Sequence, residues 1–223
     1  RLVGFSASGL TGVWAEENTR ENIYDAFRRK ETFATSGPRI KVRFFSGYNF
    51  EDSKINDLEL IQKAYANNLS MGSTINIEEG RSPKFLVWAI ADSMGAPLQR
   101  IQIIKGWLEN GEHREKVYDV ACSDGLVVNS STFRCPDNGA KVDIENCSIS
   151  ESLGASELKT FWVDPDFLKN QRAFYYARVL ENPVCRWSTW DSIREGVKPR
   201  SDIPTTIQER AWTSPIWFEP TNS

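Results

Sequence analysis

Few side chains in this sequence could carry chemistry, and their spacing limits what that chemistry could be. Two carboxylate pairs stand out: Glu16-Glu17, and Asp164 and Asp166 on either side of Pro165. Such pairs could bind a metal or act as acid and base, and they are equally what a solvated loop and a turn look like. Glu16 and Glu17 are the catalytic candidates. The single histidine, His113, follows Gly111-Glu112 in a hairpin and reads as exposed and inert. Gly4-Phe5-Ser6-Ala7-Ser8-Gly9 superficially suggests a glycine-rich phosphate loop, but it follows no visible strand and lacks a lysine. No nucleophile elbow or dinucleotide fingerprint is present.

A denser cluster lies towards the C-terminus: Arg178, Glu181, Arg186, Trp187, Trp190, Glu209, Arg210 and Trp212. One reading is a salt-bridged, Trp-lined seam holding the C-terminal tail to the rest of the fold. The other is a surface for a small molecule or carbohydrate, because aromatic faces with flanking charges suit polyols. On that reading Arg178, Arg186, Trp187, Trp190 and Trp212 are the binding residues.

Cys122, Cys135, Cys147 and Cys185 permit three pairings. None is in a C-x-x-C arrangement, so a zinc site would need four thiolates at unusual spacing. Buried free thiols in a cytosolic protein are a second option, and two disulfides in an exported protein the favoured one. Cys122 ends a core strand and Cys135 lies past a polar turn. Cys147 and Cys185 flank the strands of the second half. The expected pairs are therefore Cys122–Cys135 and Cys147–Cys185, with a periplasmic or extracellular location. Asn129-Ser130-Ser131 fits a glycosylation sequon, a short match that carries little weight.

These residues need elements to position them. Lys84 to Cys122 reads as three consecutive strands: an apolar run at Phe85 to Ile90, buried on both faces, then Gln99 to Leu108 and Glu115 to Cys122, joined by an Asn110-Gly111 hairpin. A meander this apolar needs a second layer. Before it, Asn18 as N-cap with Glu21 predicts a helix with an Ile23, Ala26, Phe27 stripe, ending before Thr35-Ser36-Gly37-Pro38. A strand follows at Arg39 to Phe45. Asp57 to Asn67 reads as a short helix with Leu58, Ile61 and Tyr65 on one side, and Met71 to Ile77 as a short strand, together a surface loop covering a sheet edge. Val142 to Ile149, Glu157 to Val163, Arg172 to Leu180 and Ala211 to Phe218 read as strands, and Thr189 to Arg194 as a helical turn. The fold class expected is mainly β: an immunoglobulin-like antiparallel sandwich of seven to nine strands, preceded by one α-helix.

A net charge of −3 over 223 residues shows no basic excess, which argues against nucleic acid or an anionic membrane as the main partner. No apolar run approaches the ~20 residues of a transmembrane helix. The first residue, Arg1, is neither an initiator Met nor the start of a signal peptide, so the chain is expected to be a processed or proteolytic piece of a longer protein.

Four stretches resemble a known family: GVWAEENTRENIYDAFRRKETFATSGPRI, RIQIIKGWLENGEHREKVYDVACSDG, FWVDPDFLKNQRAFYYARVLENPVCRWSTWDSIREGV and IQERAWTSPIWF. They resemble a large bacterial family, the domain-of-unknown-function family thirty-six-oh-four, over nearly the whole chain. The resemblance implies a C-terminal portion preceded by a PHP-like (polymerase and histidinol phosphatase) metal-dependent hydrolase domain. Residues 1–38 would then be the last loop and helix of that domain, and 39–223 the β-sandwich behind it. The partner implied is that N-terminal domain. Its divalent metal would be held upstream of Arg1, with no metal or cofactor in this chain, which alone is expected to be inactive. The alternative is an independent carbohydrate- or protein-binding module.

Overall fold

A computed structural model describes residues 4–5, 8–50 and 54–220; Ser6 and Ala7 of the glycine-rich stretch lie outside the described residues. The first half runs β1 (Leu10–Val13), α1 (Arg20–Arg28), β2 (Thr32–Thr35), β3 (Lys41–Gly47), α2 (Leu60–Asn67), β4 (Leu69–Ser70), β5 (Thr74–Asn76) and β6 (Lys84–Ile90). The middle holds β7 (Leu98–Glu109), β8 (Glu112–Cys122), β9 (Glu157–Val163) and β10 (Ala173–Glu181). The chain closes with β11 (Val184–Cys185), α3 (Trp187–Arg194), β12 (Thr206–Ile207), β13 (Arg210–Thr213) and β14 (Ile216–Glu219).

Two sheets pack as a β-sandwich. The larger has eight strands and is centred on β10, which pairs along one edge with β7 and along the other with β14 and then β13. Ser214-Pro215 separates β13 from β14, so the single last strand expected at 211–218 is two. Proline cannot donate to a ladder, which is why the strand breaks there. The smaller sheet has the order β4-β3-β6-β9. Apart from the parallel β14–β5 pair, the ladders are antiparallel.

Alternation along β3 and β6 decides what the smaller sheet buries. Val42 and Phe44 with Phe85, Val87 and Ala89 face the larger sheet, meeting Ile101, Ile103, Tyr175, Val179 and Phe218. Phe45 and Leu86 face the other way, under Phe50, Leu60 and Ala64. β6 is therefore covered on both faces only at its start: on the outer face Leu86 is buried, but Trp88 is half-buried and Ile90 is 43% exposed, so the burial on both faces expected for the whole run does not hold. Each such side chain contributes about 1.5–3 kcal/mol when fully buried.

Several local expectations change. β6 does not pair with β7: the chain crosses between sheets at 91–97, because β6 lies between β3 and β9. The Asn110-Gly111 hairpin stands, with φ of 53° and 81° at the two turn residues. The N-cap of α1 is Thr19, not Asn18; the Thr19 side chain accepts from the Asn22 backbone N–H. Of its expected stripe only Ala26 is fully buried, while Phe27 is 49% exposed. The second helix starts at Leu60, so Leu58 lies before it and is exposed; within α2 the buried positions are Leu60 and Ala64, and Tyr65 is exposed. This helix covers a sheet face, while the two short strands after it each cover an edge, β4 beside β3 and β5 beside β14. Residues 142–149 form a single bridge, Val142 to Ile149, within a loop. Residues 10–13 and 32–35 form β1 and β2, which join the larger sheet through the β2–β13 pair.

Candidate functional site

Both expected disulfides are present, Cys122–Cys135 and Cys147–Cys185. The carboxylates of Asp164 and Asp166 serve the fold. Asp164 and Lys105 are almost wholly buried, and Lys105 Nζ donates to Asp164 Oδ2 at 2.7 Å and to the Asp166 carbonyl at 2.7 Å. Tyr175 Oη donates to the same Asp164 oxygen at 2.7 Å, and the Asp166 N–H to Asp164 Oδ1 at 2.9 Å. Tyr118 Oη and Lys116 Nζ both donate to Asp166, whose pKa is lowered first by Lys116 and then by Tyr118. With every member hydrogen-bonded, this buried ion pair pins the 164–166 turn between the sheets.

The five aromatic and cationic residues expected to bind a ligand fall into two groups that share no hydrogen bond or ring contact among the described residues. Arg178 and Trp212 are cross-strand neighbours on the larger sheet. Arg178 Nε donates to Gln102 Oε1 at 2.7 Å, and Gln102 Nε2 to Asp119 Oδ1 at 2.6 Å. Arg186, 5% exposed, donates to Ser188 Oγ and the Phe5 carbonyl, and Trp187 Nε1 donates to that carbonyl as well. Trp190 is exposed, with the Arg194 guanidinium 6.0 Å from its ring. Trp187, Ile203 and Pro204 line a cleft of about 270 Å³ between α3 and the following linker. The salt bridges anticipated within this cluster do not form among the described residues. Glu181 is 1% exposed, and among the described residues neither its Oε1 nor Glu209 Oε2 has a hydrogen-bond partner. Burial pushes the Glu181 pKa up to about 8, against the Ala96 N–H, with the charges of Glu209 and Asp92 adding to the rise.

Polar and aromatic groups converge instead at a position the sequence reading passed over, around Trp14. Trp14 follows β1, and its Nε1 donates to the Val42 carbonyl at 2.8 Å, fixing the indole beside β3. The Arg43 guanidinium stacks on that indole, 3.5 Å from the ring centroid. Arg43 Nη1 donates to Tyr65 Oη at 2.6 Å, and Tyr65 donates to Glu31 Oε1 at 2.5 Å. Arg29 pairs with the other Glu31 oxygen at 3.4 Å. Burial, and then the bond to Glu31, push the Tyr65 pKa up, so the phenol stays protonated as donor.

This wall separates two clefts. One, of about 700 Å³, is lined by Trp14, Glu16, Arg29, Glu31, Arg43 and Tyr65 among others. Glu16 therefore reaches the cleft, whereas its exposed neighbour Glu17 is not part of the lining. The other, of about 370 Å³, is lined by Trp14, Lys41, Arg43, Ile61, Trp88 and Ile90. The signal available in the sequence was the outward alternation of Lys41 and Arg43 against inward Val42 and Phe44. What it could not supply was Trp14, which precedes Arg43 by a helix and a strand.

The described residues do not fit a divalent metal centre: no three or more His, Cys, Asp or Glu side chains are grouped to hold one. Guanidinium, phenol, indole and carboxylate groups in an open cleft can instead orient and hydrogen-bond a polar ligand. No curated protein and no solved structure matches the chain. The family model described as "Protein of unknown function (DUF3604)" matches residues 2–220, and the chain belongs to that family.

Proposed function

We propose that this chain is the accessory β-sandwich of a larger metal-dependent, phosphoesterase-like hydrolase, and that it contributes the Trp14–Arg43 wall to that protein's ligand site. One observation carries the reading: Glu16, Arg29, Glu31, Arg43 and Tyr65 converge on a single open cleft, where, among the described residues, no three metal-ligating side chains are grouped. The hydrolase part rests on the resemblance of the sequence motifs. The two disulfides support a periplasmic or extracellular setting, where such bonds persist. The test is Arg43→Gln in the protein that includes the preceding domain. The reading expects KM to rise about tenfold with kcat retained, the size of one lost charge-assisted hydrogen bond. Unchanged kinetics would overturn it.

A second reading, an independent carbohydrate-binding module, is favoured by the smaller cleft. Its walls combine the Trp14 and Trp88 indoles with the Ile61 and Ile90 side chains, which suits the apolar face of a sugar ring.

A further inference from the structure

The smaller cleft is built on the central ladder of the small sheet, β3 with β6. In the β3–β6 ladder Lys41 stands opposite Ile90 and Arg43 opposite Trp88. The intervening Val42, Val87 and Ala89 point into the core, so these four side chains form one patch on the outer face. Ile61 of α2 and Trp14 close its sides.

Its charge is one-sided in a chain that is acidic overall. Two cations line the cleft and no carboxylate does. Among the described residues, neither Lys41 nor Arg43 forms an ion pair. Among the described residues the only side-chain hydrogen bond of Arg43 goes to a neutral phenol, while its flat face is held by Trp14. A guanidinium stacked on one face still presents the N–H groups at its edge in a fixed plane, the arrangement that receives a carboxylate or sulfate. On the next strand, Lys159 stands opposite Trp88, 5.1 Å from its ring, but is held by Glu157 at 3.6 Å. The buried Nε1 of Trp88 has no hydrogen-bond partner among the described residues.

From this juxtaposition we infer that the cleft is a subsite for an acidic sugar, a ring bearing a carboxylate or sulfate. Its apolar face packs on Trp88 and Ile90, and its anion sits between Arg43 and Lys41. The inference rests on the carbohydrate-binding reading, and adds to it the charge of the ligand and the residues that sense it. About 370 Å³ is at the low end of ligand pockets, room for a ring and its substituent rather than a long chain.

Calorimetry of this chain with three oligosaccharides of matched length tests it: an oligogalacturonate, a sulfated galactan fragment and a neutral galactan fragment. The expected result is binding of one acidic class, at least about tenfold tighter than the neutral one and weakened by added salt. The two acidic arms distinguish carboxylate from sulfate. Lys41→Gln, at an exposed position that leaves the core intact, and Arg43→Gln should each weaken that binding about tenfold. Equal binding of the neutral oligosaccharide would overturn the anionic inference and leave the carbohydrate reading standing. Binding of none of the three would overturn both. Acidic binding unaffected by Lys41→Gln, with an unchanged melting curve, would overturn the placement of the anion.

Discussion

Replacing Glu181 with Gln should remove a pH-dependent weakness from the fold. Glu181 is 1% exposed at the end of β10, with one carboxyl oxygen unpartnered and Glu209 and Asp92 nearby. Its pKa rises from an ordinary value near 4.5 to about 8 in the folded chain. Below about pH 4.5 the group is protonated in both states, so it contributes no pH dependence. Between about 4.5 and 8 the unfolded chain has released the proton and the folded chain has not. The folded state binds more protons there, so stability falls as pH rises. Each pH unit of that window is worth about 1.4 kcal/mol, which puts an upper bound near 5 kcal/mol above pH 8. Partial solvation of the ionised group reduces this, and about 2–4 kcal/mol is expected. Glutamine keeps the acceptor for the Ala96 N–H without ever ionising. Urea unfolding of both proteins from pH 5 to pH 9 reads the difference. The two should be similar at pH 5, and the variant should be more stable by that amount at pH 9. A constant difference across the range would refute the reasoning.

Three further perturbations probe the fold. Lys105→Met leaves Asp164 buried without its cation and should cost about 3–5 kcal/mol in urea unfolding; a loss below 1 kcal/mol would mean water reaches the pair. Thr19→Ala should weaken the start of α1 by about 1 kcal/mol, read as faster hydrogen exchange at the Asn22 amide, with Asn18→Ala much milder. Reducing the disulfides should lower the melting temperature, since chain-entropy estimates give roughly 3 kcal/mol for the Cys122–Cys135 loop and about 4 kcal/mol for Cys147–Cys185. Non-reducing peptide maps that show four free thiols would contradict the pairing.

The cysteine pairing was legible because each cysteine stands at a strand end or a turn, where few partners are within reach. Six apolar residues in a row read as burial of β6 on both faces, which holds for its first half only: on the outer face Leu86 lies under α2, whereas Trp88 and Ile90 line a cleft. Which strands β6 would join was not legible. Periodicity fixes the face a side chain takes, while the neighbour is chosen by long-range packing, and β3 and β9 lie far from β6 in the chain. The cap of α1 shifted by one residue because Asn18 and Thr19 are both good caps, and the entering backbone decided between them. The Trp14–Arg43 site was hidden because its parts come from β3, β6, α2 and the turn after β1. The C-terminal cluster, dense in sequence, is divided in space because α3 and β13 carry its members to different surfaces.

Turnover by this chain alone tests the central claim most directly. Given manganese or zinc and an aryl phosphate, the chain should show no metal-dependent hydrolysis above a Glu16→Ala/Glu17→Ala control, because the accessory reading places the metal ligands outside it. Metal-dependent turnover by the wild-type chain that the double variant loses would contradict the account and make Glu16 a catalytic residue.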